Sequence, residues 1–358
     1  MRNEPPTAVG NPIPTSEVSG EPRLRILSLY SKSNHAAWLK NVQIYRELDD
    51  EVIKNWRKNL PAMYRMRREL LWAWRLFRLS RKYDVILTGS DRIGLFFGVA
   101  QRIFRRRRVP HIFLDFLINV SGGKFEGAIR RLFYRLAVNG ASYTLVQRTC
   151  EVEAYSRALN LPASRFCFVP YHTTVFDAGL EVRNDGYIFA GGDSDRDYPL
   201  LIEAVRELPY RVIIAALRRH HFANIKIPEN VEIVTVKGTE FLDLAARASL
   251  IVVPLKKLPQ HVGGEQTYAN AMTMGKAVIV TDMDASDYIE SGKSGILTPA
   301  GDARTLRQAI QKVMEDHEYA HGMGQRAKEA SAKFAPERFF EAVFRLCDVC
   351  ATERSSHR

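Results

Sequence analysis

The chain has 358 residues, of which 46% are hydrophobic and 26% are charged, a composition typical of a soluble globular protein with two domains. Four cysteines are too few and too scattered for a disulfide framework, so we expect a reducing, cytoplasmic setting. No apolar stretch approaches the ~20 residues that span a bilayer, and the N-terminus lacks the apolar segment of a signal peptide. These features exclude a disulfide-rich secreted protein and an integral membrane protein.

The net charge of +12 is concentrated in the first half of the chain. Residues 1–180 hold 29 Lys and Arg against 15 Asp and Glu, whereas residues 181–358 hold 23 against 25. A basic domain is typical of proteins that meet phospholipid headgroups, a lipid diphosphate or nucleic acid. We therefore expect the N-terminal half to face an anionic partner.

The N-terminal half begins with a leader, residues 1–22, whose Pro, Glu, Gly, Ser and Thr content predicts disorder. After the leader, short apolar runs alternate with longer stretches of helical periodicity. Strands are predicted at Leu24–Tyr30, Asp84–Leu87, Val109–Phe113 and Tyr143–Val146, and helices at Pro61–Lys82, Ile93–Arg107 and Gly127–Val138.

The second half repeats this alternation. Its strands are predicted at Tyr187–Ala190, Val212–Ala215, Val231–Val236, Leu250–Val253 and Ala277–Thr281, and its helices at Leu200–Glu207, Phe241–Ala248, Thr267–Met274, Leu306–Asp316 and Pro336–Cys350. Short apolar strands separated by helices are typical of parallel sheets. The sequence therefore predicts an α/β protein with two doubly wound, Rossmann-like lobes.

The most informative segment is the loop Gly263-Gly264-Glu265-Gln266-Thr267, between a predicted strand and a predicted helix. Its two glycines let a ligand approach the backbone closely. The first turn of a helix offers N–H groups without intrahelical partners and the positive end of the helix dipole, and Thr267 can cap the helix or bind a ligand oxygen. The loop predicts a diphosphate site, with an ordinary strand-to-helix turn as the alternative.

Motifs on both sides of this loop point to a known family. The chain reads YIFAGGDSDRDYPLLIEAV before the loop, and ANAMTMGKAVIVTD and then SGKSGILTPAGDARTLRQAI after it. In this order the segments resemble the C-terminal lobe of the GT-B glycosyltransferases of glycosyltransferase family four, over residues 187–340 and more loosely over 141–174. The resemblance implies two Rossmann-like lobes that face a cleft and transfer of a sugar from a nucleoside-diphosphate sugar.

The predicted elements and the resemblance together imply a domain order. Residues 23–178 would form the acceptor-side lobe, a hinge near Asp177–Asp185 would follow, and residues 186–340 would bind the nucleotide sugar. We expect residues 341–358 to form a helix that packs back on the N-terminal lobe. The donor would be of the UDP or GDP type, with no cofactor and no metal, so the Asp-x-Asp spacings at Asp193–Asp195–Asp197 and Asp282–Asp284 are interpreted as turns.

The family's two glutamates are replaced in this chain. They are spaced E-x7-E in the family, and the corresponding positions here are Val262 and Asn270. The second glutamate binds the donor ribose in the family, and Asn270 can still accept and donate hydrogen bonds there without a charge. Glu265 can substitute in part. These replacements leave retaining and inverting chemistry both open.

The family's phosphate-binding Arg and Lys are displaced as well. Their positions are Gly192 and about Asp197, so we expect Arg196 to contact the diphosphate, helped by Lys256 or Lys257. The alternative for Arg196 is a surface pair with a neighbouring Asp, and for Asn270 it is packing against a loop. The predicted donor-binding set comprises Gly191, Gly192, Arg196, Gly263, Gly264, Glu265, Gln266, Thr267 and Asn270.

Three polar residues near the ends of N-terminal strands are candidates for catalysis: Asp115, Asp91 and His35. An inverting transfer needs a general base beside the acceptor hydroxyl, and Asp115 is the first choice for that base. A retaining transfer depends mainly on positioning and on stabilising the leaving diphosphate. The alternative for Asp115 is a helix cap or a turn residue.

The basic stretches of the N-terminal half predict a partner surface. Arg105–Arg108 lie at the junction between the predicted helix Ile93–Arg107 and the predicted strand Val109–Phe113, and further arginines occur on the predicted helices Pro61–Lys82 and Gly127–Val138. Helices that bury an apolar face and solvate their arginines would explain the apolar residues but not the shortage of acids. We expect peripheral binding to an anionic inner-membrane surface, where a saccharide or polyprenyl-linked acceptor of surface polysaccharide or glycolipid synthesis would be used.

Two rival functions stay open at this stage. The same fold also supports nucleotide-sugar epimerases and phosphorylases, because fold does not determine function. A non-catalytic basic protein that binds membrane or nucleic acid is the other rival. The sequence contains no RRM, KH or helix-turn-helix signature, so nucleic acid is not the expected partner.

Overall fold

A computed structural model describes residues 24–29, 43–44, 61–104, 109–118, 124–175, 179–218, 222–257 and 263–356. The chain forms two compact units. The first ends at Val169 and is joined again by the chain from Glu337 onward, while Pro170–Pro336 form the second. Each unit contains a six-stranded sheet in which every strand pair is parallel.

The N-terminal unit has the sheet order β2-β1-β3-β4-β5-β6. Its strands are β1 (Ile26–Ser28), β2 (Gln43–Ile44), β3 (Val85–Thr88), β4 (His111–Phe113), β5 (Tyr143–Val146) and β6 (Phe166–Phe168). Its helices are α1 (Ala62–Leu79), α2 (Arg92–Ile103), α3 (Lys124–Gly140) and α4 (Thr149–Leu159), and α10 (Pro336–Ser356) joins this unit from the end of the chain.

The alternation of side chains along each strand divides the N-terminal core into two layers. On one face of the sheet, Leu27 and Ile86 pack with Leu76 and Phe77 of α1. Farther along the sheet, Phe113 and Val146 pack with residues of α2, α3 and α4. On the opposite face, Ile26, Val85, Leu87 and Ile112 pack with α10 residues Phe339, Val343 and Leu346. The sheet is therefore buried on both faces, as parallel sheets require.

The C-terminal unit has the sheet order β12-β11-β10-β7-β8-β9. Its strands are β7 (Ile188–Gly191), β8 (Val212–Ala215), β9 (Val231–Val234), β10 (Leu250–Val253), β11 (Ala277–Thr281) and β12 (Ile296–Thr298). Its helices are α5 (Tyr198–Val205), α6 (Thr239–Arg247), α7 (Glu265–Thr273), α8 (Ala303–Glu315) and α9 (His317–Ala330).

This second sheet is also covered on both faces. Ile188, Val252 and Ile279 pack with Leu201 of α5 and with Leu306 and Ile310 of α8. Their neighbours along the strands, Phe189, Ile251 and Val278, pack on the other face with Ala245 of α6 and with Tyr268 and Met272 of α7. Because β7 and β10 are adjacent, the loops that follow these two strands emerge at the same edge of the sheet.

The prediction of two parallel α/β sheets is confirmed, and the differences lie mainly at element ends. Strand β4 begins at His111 rather than Val109; Pro110 has no N–H to donate to a neighbouring strand. Helix α2 ends at Ile103, before the arginine run 105–108, which lies outside the described residues. Among the strands and α-helices that the structure describes, β2, β6, β12, α4 and α9 were not predicted from the sequence. The predicted disordered leader also lies outside the described residues.

Candidate functional site at the start of α7

The turn after β7 forms one side of the candidate site. Gly191 ends the strand, and Gly192 follows with φ 107°, a conformation that favours glycine. A Cβ on Gly192 would lie 2.8 Å from the Arg196 guanidinium, so a larger residue would collide with that side chain. The Gly192 amide donates to the carbonyl oxygen of Ala215, 3.0 Å away, which fixes the turn against β8.

Arg196 lies beneath this turn and is only 3% exposed. Its guanidinium donates to the carbonyl oxygens of Gly191 (3.0 Å) and Ser194 (2.7 Å) and to Oγ1 of Thr267 (3.0 Å). Burial lowers the pKa of Arg196 from its ordinary value, but an arginine stays charged at neutral pH. A fixed positive charge therefore lies where the β7 turn meets the first turn of α7.

The loop before α7 forms the other side. The Gly263 amide donates to a carboxylate oxygen of Asp195 at 3.3 Å, which joins the two loops. Gly264 is the N-cap residue with φ 130°, again a glycine conformation. Glu265 is buried and Gln266 is exposed at the start of the helix.

Thr267 is half-buried in the first turn of α7, and its amide donates to the Gly264 carbonyl oxygen at 2.8 Å. A guanidinium has only donors, so Oγ1 of Thr267 must accept from Arg196. The hydroxyl hydrogen is consequently available to another acceptor. Together with the helix N-terminus, which attracts anions, this arrangement suits a phosphate oxygen.

Asn270, one turn farther along α7, is oriented by the chain segment that opens the C-terminal unit. Its Oδ1 accepts from Oγ1 of Thr173 (2.9 Å) and from the amide of Thr174 (2.8 Å), and its Nδ2 donates to Oγ1 of Thr174 (3.0 Å). The side chain thus packs against a loop through three hydrogen bonds. Its contact with a donor ribose stays a prediction. One of the two Nδ2 hydrogens is used on Thr174, so one remains for such a contact.

The aspartates near the predicted site bind backbone amides. Asp193 accepts from the amides of Leu217 and Arg218, and Asp197 caps α5 through the amide of Leu200. These contacts, and that of Asp195, are those of turn and capping residues. Among the described residues, no group of three or more His, Cys, Asp or Glu side chains is placed to hold a metal ion.

Two of the three catalytic candidates lie at the carboxyl ends of neighbouring strands in the N-terminal unit. Asp115 follows β4, is half-buried, and accepts from the Ser90 amide at 3.3 Å. Asp91 follows β3 and caps α2, accepting from the Gly94 amide at 2.7 Å. His35 lies outside the described residues. The catalytic roles of these residues stay predictions.

Thr173 and Thr174 hold Asn270 from 97 and 96 residues away and were not predicted as site residues. No local pattern could have revealed that pairing.

A buried ion pair after β5 was not predicted either. Arg148 and Glu151 lie 3.0 Å apart, and Glu151 accepts from the amides of Gln147 and Arg148. The sequence signal for this contact was Glu151 itself, an acid three residues after the N-cap residue Arg148. Of the other predicted phosphate contacts, Lys256 and Lys257 are exposed. Val262, at the position of the family's first glutamate, lies outside the described residues.

Part of the chain matches a known protein family. Residues 188–316 match the model of the family described as glycosyl transferases group 1. No curated protein sequence matches the chain significantly. The matched residues include both glycine turns, Arg196, Thr267 and Asn270.

Several solved structures share the fold. The structure of Anabaena HepE in complex with UDP-glucose has 17% identity and a TM-score of 0.64, covering 93% of this chain and 100% of that chain. A glycosyltransferase from Rickettsia africae has 14% identity and a TM-score of 0.67, covering 92% and 98%. The lipopolysaccharide outer core galactosyltransferase WaaB has 11% identity and a TM-score of 0.59, covering 89% and 97%. The chain therefore has the GT-B glycosyltransferase fold that its motifs predict, and residues 188–316 resemble the group 1 glycosyl transferases.

Proposed function

We propose that the protein is a glycosyltransferase that takes a sugar from a UDP-linked donor bound at the start of α7. The observation that carries this proposal is the contact between Arg196 and Thr267, which joins the two glycine turns beneath a helix N-terminus. The HepE structure of the same fold contains UDP-glucose, which makes UDP the first nucleotide to test.

In this proposal the C-terminal unit stabilises the diphosphate as it leaves the sugar. The hydroxyl of Thr267, oriented by Arg196, donates to a phosphate oxygen. The positive end of the α7 dipole and the buried guanidinium stabilise the negative charge that develops on the leaving diphosphate. These groups are already fixed by hydrogen bonds, so little reorganisation accompanies the reaction. The proposal requires no metal and no cofactor, and turnover in excess EDTA equal to turnover with Mg²⁺ is the expected result.

The acceptor we propose is a saccharide or a lipid-linked saccharide used for a surface polysaccharide or glycolipid at the cytoplasmic face of a membrane. WaaB, which shares the fold, is a galactosyltransferase of the lipopolysaccharide outer core. Asp115 is the proposed base if the reaction inverts, because it follows β4 in the N-terminal unit and is half-buried rather than fully enclosed. Asp115→Asn should then lower kcat without altering UDP affinity, whereas an unchanged kcat removes Asp115 from the mechanism.

The first experiment is calorimetric titration of the full chain with UDP, UDP-glucose, GDP and ADP. We expect UDP and UDP-glucose to bind more tightly than GDP and ADP. Absence of binding by every nucleotide diphosphate would contradict the proposed function. Product analysis with and without a saccharide acceptor then separates the rivals, because an epimerase changes the donor without an acceptor and a phosphorylase requires inorganic phosphate.

A further inference from the structure

Helix α1 carries an unusual distribution of charge. Its 18 residues, AMYRMRRELLWAWRLFRL, contain five arginines and one acid, Glu69. Glu69 is buried and lies 3.2 Å from Arg92 of α2, so its charge is directed inward and paired. Arg81 and Lys82 extend the basic series just after the helix. The exposed side of this helix therefore presents cations without interspersed acids.

The same helix exposes large apolar side chains although its inner face is already filled. Ala73, Leu76 and Phe77 are buried against β1 and β3. On the outside, Leu71 is 67% exposed and Trp74 is 46% exposed. Met63, Tyr64, Met66 and Leu70 are exposed as well. A helix that only solvates its outer face would have polar residues at these positions.

The exposed apolar surface extends beyond α1. Phe104, just after α2, lies with its ring centroid 5.6 Å from that of Trp74, and both Phe104 and Ile103 are exposed. A surface groove of about 810 Å³ runs along the helix. It is lined by Leu71, Trp72, Trp74 and Leu79 together with Arg68, Arg75, Arg78 and Lys82. We call the outward side of α1 with Ile103 and Phe104 the α1 surface.

This combination fits one kind of partner best. Phosphate groups complement the arginines, and lipid chains complement the exposed Leu, Met and Phe side chains. Trp74 lies among both kinds of residue, as tryptophan does at the boundary between headgroups and hydrocarbon. Nucleic acid would satisfy the cations but not the exposed aliphatic side chains, and a second copy of this helix would place like charges together.

We propose that the α1 surface binds the surface of an anionic phospholipid bilayer, with the arginines on headgroup phosphates and Leu71 and Trp74 at the hydrocarbon boundary. In the part of the chain that the structure describes, no helix is long and apolar enough to cross a bilayer. Binding of this kind lies along the bilayer surface and is reversible. It does not depend on the donor site, because α1 belongs to the N-terminal unit and the donor site to the C-terminal unit.

The test is flotation of the full chain with vesicles of phosphatidylcholine alone and with vesicles containing about 30% phosphatidylglycerol. We expect binding only to the anionic vesicles, and weaker binding at higher salt. Each cation near such a surface strengthens binding about fivefold, so the variant Arg67→Gln/Arg78→Gln/Arg81→Gln should bind about 100-fold more weakly. Leu71→Ser, at a highly exposed position, should weaken binding without destabilising the fold.

A matched control removes three exposed cations from the C-terminal unit: Lys226→Gln/Arg304→Gln/Lys328→Gln. It changes the net charge equally and should leave vesicle binding unchanged. Equal binding by both triple variants, or equal binding of the protein to neutral and anionic vesicles, would overturn the proposal. UDP titration of the same proteins keeps the two proposals apart, because loss of UDP binding contradicts the donor site and leaves the vesicle result intact.

Discussion

Arginine is used in two opposite ways in this protein. Arg196 is buried at the donor-site candidate, where each of its hydrogen-bond partners is an oxygen at a fixed distance. Arg78, on α1, is exposed beside apolar side chains. A buried guanidinium determines local geometry and is insensitive to salt, whereas exposed guanidinium groups contribute a diffuse attraction that salt weakens. In the two proposals, Arg196 therefore acts on a bound diphosphate from a fixed position, whereas Arg78 belongs to a surface that attracts anionic lipid.

The largest expected difference is in stability. Arg196→Met leaves the carbonyl oxygens of Gly191 and Ser194 without a buried donor, which should lower the free energy of unfolding by about 3 kcal/mol. Arg78→Met is the matched control and should change it by less than about 0.5 kcal/mol, as exposed positions do. Urea denaturation measures both. Similar losses in the two variants would remove the distinction between the two arginines.

The next effect is on ligand binding. Thr267→Val keeps the shape of the side chain but removes the hydroxyl that accepts from Arg196. A lost hydrogen bond to a charged phosphate should weaken UDP binding about 10- to 100-fold, while uridine, which has no phosphate, should bind as before. Thr267→Ser retains the hydroxyl and serves as the control. Calorimetric titration with both ligands decides; an equal loss for uridine would show a general disturbance of the site.

A smaller effect is expected at Asn270. Asn270→Ala removes the acceptor of the Thr174 amide and the partner of both threonine hydroxyls. The free energy of unfolding should fall by about 1 to 2 kcal/mol, and the Thr174 amide should exchange its hydrogen faster. Comparing UDP with 2′-deoxy-UDP tests the ribose contact separately. If Asn270 contacts the ribose, Asn270→Ala should prefer UDP over 2′-deoxy-UDP less strongly than the native chain does.

The last effect is on the pH dependence of stability, not on stability at neutral pH, and concerns a second buried cation of the C-terminal unit. Lys276 donates to the carbonyl oxygens of Arg183 and Ala248, and burial lowers its pKa from 10.5 to about 8. Between these two values the unfolded chain binds the proton and the folded chain does not, so the free energy of unfolding should rise with pH.

Urea denaturation at pH 7.5, 9 and 10 measures that slope. Lys276→Met should lack this contribution, and the difference between the two proteins should therefore grow with pH in favour of the native chain. Lys226→Met, at an exposed position, is the matched control and should show the same slope as the native chain. A flat difference between the native chain and Lys276→Met would indicate that Lys276 stays protonated in the folded protein.

The parallel sheets could be predicted from the sequence because their strands are buried on both faces and appear as continuous apolar runs, as in Leu250–Val253. The glycine turns were also visible, since Gly192 and Gly264 adopt positive φ angles that few other residues tolerate. Motif order then indicated the family. These signals are local, or occur in a regular order along the chain.

Other features depend on contacts that no local pattern encodes. The pairing of Asn270 with Thr174 joins residues 96 positions apart. The partial burial of Thr267 beside Arg196 follows from the adjacency of β7 and β10, which periodicity does not reveal. Strand β2 has only two described residues, too few to give an alternating pattern. The exposed Leu71 and Trp74 also look like core residues in the sequence, and only the structure distinguishes them from buried Leu76.

Helix α10 has a consequence for synthesis. Its residues Phe339, Val343 and Leu346 cover a sheet face formed by Ile26, Val85 and Ile112, yet they are made more than two hundred residues later than these strands. During translation that apolar face stays exposed after the C-terminal unit has already been made, at a stage when exposed apolar surface favours aggregation. The N-terminal unit is thus the first whose synthesis begins and the last to be completed. A fragment that ends at Val169 should need a separately supplied α10 peptide to remain in solution.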